Sequence, residues 1–210
     1  MKKKKIKKLI LVAVVAIILA IVIIKMISSE KEEVKRLENL YNQLNTSQTY
    51  LFEMQESDKD KTIMAKKENK TIIDDYTEDS HTTTIVKDNN TYLVLHDREE
   101  YYVYEQNNVE QSILTDGLQE IVTKEFVTGT EKVKGQKYSY EEYQGSTMFM
   151  ESSSLDVNEE DIKTRFYFDN DDNLVYIRTI KGVNQELLKI NIQKEVDDSI
   201  FEVPSHYAEN

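Results

Sequence analysis

From Leu9 to Ile24 the chain runs through 16 consecutive residues drawn only from Leu, Ile, Val and Ala. Six lysines precede this run (Lys2, Lys3, Lys4, Lys5, Lys7, Lys8) and Lys25 closes it. A helix rises about 1.5 Å per residue, so a hydrocarbon core about 30 Å thick needs roughly 20 apolar residues. The stretch Ile6–Ile27, with its lysines reaching toward the head groups, supplies 22. The sequence therefore predicts a basic cytoplasmic tail over 1–8 and a transmembrane signal anchor over 9–27. By the positive-inside rule, everything after it lies on the extracytoplasmic side of a cell membrane. The competing reading is a cleaved signal peptide. Against it, the apolar run exceeds the usual length of about 7–15 residues, and no Ala-x-Ala follows. The chain has no cysteine, so no lipid-bearing thiol and no disulfide is available.

Beyond the anchor the composition changes sharply. All 39 acidic residues lie at Glu30 or later, against 20 basic ones, a net charge of −19. Such a surface repels nucleic acid and anionic lipid head groups, and nucleic acid is excluded as a partner. The remaining chain is long enough to bury about 70% of its unfolded surface. Thirteen tyrosines and a single proline favour strands.

Apolar spacing then divides the chain. Residues 28–47 read as a stalk or packing helix, with Val34, Leu37, Tyr41 and Leu44 on one stripe. From Thr49 onward, over a domain spanning 48–210, the period becomes two. Strands are predicted at Tyr50–Met54, Lys61–Lys67, Lys70–Thr77, His81–Lys87, Thr91–His96 and Glu100–Glu105, with tight polar turns between them. This is the grammar of an antiparallel meander. Thr91–Leu95 and Tyr101–Tyr104 are apolar or aromatic on both faces, which predicts cover on both sides. A second helix is predicted over Val109–Thr123, with Gly117 as a place where it breaks. Further strands follow at Phe126–Val133, Lys137–Tyr143, Thr147–Glu151, Lys163–Phe168, Leu174–Ile180, Glu186–Gln193 and Ile200–Val203. The fold class is α+β: an N-terminal transmembrane helix, then a curved antiparallel half-barrel sheet covered by a few helices.

Three stretches carry a family resemblance. They are Gly129-Thr130-Glu131-Lys132-Val133-Lys134-Gly135, the hairpin Thr164–Ile180 with its acidic turn, and the closing Phe201-Glu202-Val203-Pro204. Residues 30–208 resemble the LolA/LolB-like fold family, which includes RseB and the LppX/LprG-type lipoproteins. The resemblance implies a half-open antiparallel barrel with helices plugging one side and an apolar interior that holds acyl chains. Its partners would be a membrane lipid or an acylated protein. The chain departs from many exported members in lacking their lipid-bearing cysteine.

Inward-face residues are the candidate ligand-binding positions. Tyr50, Phe52 and Met54 alternate on one face, as do Phe166 and Phe168, and Leu188, Ile190 and Ile192. Phe149 stands between Met148 and Met150 in a further apolar strand. Met and aromatic side chains suit a cavity that must adapt to its occupant. Each group serves equally as plain core.

No catalytic constellation is present: there is no Gly-x-Ser-x-Gly, and five scattered glycines make no phosphate loop. Asp169, Asp171 and Asn173 match the start of a calcium loop, but Leu174 replaces its glycine and Ile180 its closing glutamate. His81, His96 and His206 stand far apart at no metal-ligand spacing. No enzyme, cofactor or metal site is expected. The sequence reads as a membrane-anchored binding protein for a lipid or acyl chain. The alternative is a cargo-free protein-interaction or envelope-sensing module with an envelope protein as partner.

Overall fold

The computed structural model describes residues 35–105, 113–145 and 162–210. A compact unit begins at Arg36 and runs to Asn210. Helix α1 (Arg36–Thr46) leads into six strands: β1 (Thr49–Gln55), β2 (Lys61–Lys67), β3 (Lys70–Tyr76), β4 (His81–Lys87), β5 (Asn90–Leu95) and β6 (Glu100–Glu105). A short 3-10 turn, η1 (His96–Arg98), links the last two. Helix α2 (Ile113–Val122) precedes β7 (Phe126–Val133), β8 (Gln136–Gln144), β9 (Ile162–Phe168), β10 (Leu174–Lys181) and β11 (Asn184–Gln193). A second 3-10 turn, η2 (Asp198–Phe201), and the two-residue strand β12 (Ala208–Glu209) close the chain.

All twelve strands form one curved sheet in the order β12-β6-β5-β4-β3-β2-β1-β11-β10-β9-β8-β7. It consists of two antiparallel meanders, β1–β6 and β7–β11, joined where β1 pairs with β11. Only the terminal β12 runs parallel to its neighbour, β6. The meanders follow from local chemistry. Two-residue turns whose central residues both have positive φ match the twist of the flanking strands. Asp88 and Asn89 (φ 51° and 60°) and Lys134 and Gly135 (φ 48° and 88°) form such turns.

Strand alternation creates two faces, and each is covered over a different half of the sheet. On the helix face, Tyr50, Phe52, Met54, Phe166, Phe168, Ile177, Leu188 and Ile190 pack against Leu37 and Leu44 of α1 and Leu114, Leu118 and Ile121 of α2. On the back face, Ala65, Ile72, Ile85 and Val94 pack against Val196 and Phe201 of the C-terminal segment.

The structure corrects several expectations. Ile200–Val203 is not a strand. The Asp197 carboxylate accepts from the Ser199 amide at 2.8 Å, which caps η2 and turns Phe201 into the back-face cluster. Gly117 does not break α2, which continues through it. Double cover over β5 and β6 is only partial: Val94 is buried, Leu93 and Tyr102 are half-buried and Tyr104 is exposed. The Thr147–Glu151 strand and the helix start near Ser29 lie outside the described residues. So does the span over 9–27. Among the described residues no helix is long and apolar enough to cross a membrane.

Candidate functional site

The helix face brings the sequence-predicted positions together. Tyr50, Phe52, Met54, Phe166, Phe168, Leu188 and Ile190 are all buried in one cluster, and Ile192 packs half-buried against it. Register explains this. Phe52 pairs with Ile192 and Met54 with Ile190 across β1–β11, while Ile177 of β10 pairs with both Phe166 and Leu188. Phe149 lies outside the described residues. At this end of the sheet these side chains pack against Leu37 and Leu44 of α1 and Leu114, Leu118 and Ile121 of α2.

Helix α1 is held over that end by Glu141, a fully buried carboxylate on β8. It accepts from the backbone amides of Arg36 (2.6 Å) and Leu37 (3.2 Å) and from the Tyr143 hydroxyl (2.9 Å). The first amides of a helix lack intrahelical partners and carry the positive end of its dipole. Glu141 answers both needs from more than a hundred residues away. Burial, and then the Glu141 charge, push the Tyr143 phenol far above its ordinary range.

Beyond the helices the same face continues across the first meander. Phe52, Met64, Ile73, Thr84, Leu93 and Tyr102 are successive register partners from β1 to β6. They make one row, buried at Phe52 and half-buried from Met64 onward. Met64, Ile73, Leu93 and Tyr102 were not among the sequence candidates. Alternation placed each on a face, but only the register aligns them into one row, with Thr84 between Ile73 and Leu93.

Polar groups also stand on the back face. Over β7–β10, Glu131 accepts from Arg165 (2.8 Å), Arg178 (2.6 Å) and the Tyr167 hydroxyl (2.7 Å), and Arg165 also binds Glu142 at 2.6 Å. Burial raises the Glu131 carboxyl, and the bonds from Tyr167, Arg178 and Arg165 outweigh it and hold it below its usual value. Gly129 leaves room for the Tyr140 ring, whose tip would overlap a Cβ placed there. The Gly129–Glu131 motif thus organises packing on this face. The Asp169 carboxylate accepts from the amides of Asp171 and Asn173, each at 2.9 Å, so the calcium-like run is a self-bonded turn.

A second polar group lies at the far end of β3–β5. His81 and His96 are not apart in space: pairing of Thr82 with Leu95 across β4–β5 sets them side by side. Their rings stack at 3.6 Å and 8°. His81 Nε2 lies 2.8 Å from Asp74 Oδ1, and Thr83 Oγ1 donates to the same oxygen at 2.5 Å. Thr83 Oγ1 also lies 2.7 Å from His96 Nε2, and the Tyr207 hydroxyl lies 3.0 Å from His96 Nδ1. Burial, then the neighbouring His81, lower the pKa of His96. Burial, then Asp74, raise the Tyr76 phenol to about 12, and its ring stacks on His81. A pocket of about 210 Å³ opens here, lined in part by Asp74, His81, Thr83 and His96. The expectation of isolated histidines fails because a hairpin joins positions that sequence spacing separates. His206 is exposed and outside this group.

No protein-family model matches the chain, and no curated protein matches it in sequence. Some solved structures align with it. An uncharacterized conserved protein from Thermus thermophilus aligns with a TM-score of 0.44 and 8% identity, covering 87% of this chain and 99% of that one. The Mycobacterium tuberculosis lipoprotein LppX aligns with a TM-score of 0.47 and 12% identity, covering 80% of this chain and 99% of that one. Neither likeness identifies what this chain holds.

Proposed function

We propose that this protein is a membrane-anchored binding protein that holds an apolar chain, such as the acyl chain of a lipid or lipoprotein, on the helix face of its sheet. The observation that carries this reading is the row from Phe52 to Tyr102. At one end it is buried beneath α1 and α2, and it continues over β2–β6 as a half-buried strip that is apolar or aromatic except at Thr84. Tyr50, Phe52, Met54, Phe166, Phe168, Leu188, Ile190 and Ile192 form the closed end against which the ligand abuts. Met64, Ile73, Leu93 and Tyr102 form the surface it covers. Affinity would come from apolar area removed from water, at about 25 cal/mol per Å². The acidic exterior would keep the domain itself off anionic head groups, while the N-terminal anchor holds it near the donor bilayer.

Two experiments test this. Mass spectrometry of organic extracts from the purified full chain should find a reproducible lipid or acyl species, and Leu93→Asp should lose it selectively. Equal amounts in the two proteins, or none in either, would reject the ligand reading in favour of a cargo-free interaction module. The chain has no native cysteine, so Val183→Cys, on the exposed β10–β11 turn, reports topology. A membrane-impermeant maleimide should label it on intact cells. Protection there, with labelling only after lysis, would reject the extracytoplasmic placement.

A further inference from the structure

We propose that Asp74, His81 and His96 form a binding site for a divalent first-row transition ion, of the Zn²⁺ type. The three residues offer one carboxylate oxygen and two imidazole nitrogens within 4.8 Å of one another. Zinc takes imidazole nitrogen at about 2.0–2.1 Å and carboxylate oxygen at about 2.0–2.2 Å, so the donors are near enough to share an ion once the side chains reorient. Two imidazoles and one carboxylate select against Ca²⁺ and Mg²⁺, which want oxygen throughout.

The surroundings suit that role. His96 Nδ1 is engaged by the Tyr207 hydroxyl, which leaves Nε2 as the nitrogen facing the cluster. Metal-bound histidines are characteristically oriented through their other nitrogen in this way. The ligands come from the neighbouring strands β3 and β4 and from η1, the turn that follows β5 in the same sheet. They interrupt a back face that is apolar at Ile72 of β3, Ile85 of β4 and Val94 of β5. In the stacked arrangement the ring planes are nearly parallel, so capture requires the imidazoles to turn apart. That movement exchanges the Asp74–His81 and Thr83–His96 hydrogen bonds for coordinate bonds. The pocket leaves room for water as a fourth ligand. A bound ion would tie β3, β4 and η1 together and, through Tyr207, hold the C-terminal segment.

The test is calorimetric titration of the full chain with Zn²⁺ in a large excess of Ca²⁺, which occupies non-specific carboxylates. One equivalent should bind, and Co²⁺ alone should show the visible absorption of a four-coordinate site. His81→Gln, His96→Gln and the isosteric Asp74→Asn should each weaken binding by more than about 100-fold. Tyr207→Phe should weaken it by about 10-fold, as expected for an orienting residue, and His206→Gln should leave it unchanged. Far-UV circular dichroism checks folding, and Asp74→Asn carries the test if a histidine variant does not fold. Absence of binding under excess Ca²⁺ would overturn the proposal, as would stoichiometric binding that survives Asp74→Asn or the folded histidine variants.

Discussion

The two halves of the sheet bury opposite faces. Around β1 and β8–β11, α1 and α2 cover the helix face, while the back face is dressed with the Glu131, Arg165, Arg178 and Tyr167 network. Around β2–β5 the C-terminal segment covers the back face, and the helix face stays half-open. The strands of both halves have the same alternation. What differs is the segment that returns to cover them. A period of two therefore supplies two potential cores per strand, and long-range docking selects one. Among the described residues, the covering element of that half lies on the other side of the strip.

The largest expected effect tests the first cover. Phe166→Ala removes a fully buried ring from beneath the helices. It should lower global stability by about 3–5 kcal/mol, read as a fall in the midpoint of urea unfolding. Phe201→Ala removes the corresponding anchor of the second cover, also fully buried. Its cost should lie near the low end, about 3 kcal/mol, because a terminal segment can undock without global unfolding. Hydrogen exchange should then accelerate at β12 and the adjoining edge of β6 while α1 keeps its protection. Equal exchange at both places would show that the two covers behave as one unit.

Glu141→Gln tests how the helix cover is attached. It removes the charge at the start of α1 while keeping the shape, and should cost about 1–2 kcal/mol. Exchange should speed first at the Arg36 and Leu37 amides. Unchanged protection there would remove Glu141 from its capping role.

The smallest effect belongs to the network opposite the helices. The Glu131 carboxyl lies below its ordinary value in the folded state. Its stabilisation is therefore complete above the unfolded value of about 4.3 and is lost as pH falls through the lowered folded value. Wild type should exceed Glu131→Gln in stability at neutral pH, and the difference should close on acidification through that window. A difference that persists at low pH would mean that shape, and not charge, is what Glu131 contributes there.

Much of this architecture is legible locally. The alternation in Thr49–Gln55 and in Lys163–Phe168, and the polar turns at Asp88-Asn89 and Lys134-Gly135, announce strands and hairpins because they depend on residues one to four apart. The inward positions Phe52, Phe166 and Ile190 could be named for the same reason. Illegible were the Glu141 cap on α1 and the stacking of His81 on His96. An acidic pair at Glu141-Glu142 looks like any other in so acidic a chain, and its role depends on an amide at Arg36 that only the tertiary fold delivers. Ile200–Val203 misled because its apolar residues serve a capped turn that docks on a distant face.

The sequence by itself determined most of the strands and turns, the two-sided alternation and the net charge of −19 after Lys25, since these follow from neighbours and from sums. Only the tertiary structure decided which face each half buries, where the apolar strip remains half-open, and that Asp74, His81 and His96 meet. The physical reason is that burial and register are set by pairing between residues far apart in the chain. A local pattern limits those pairings without choosing among them.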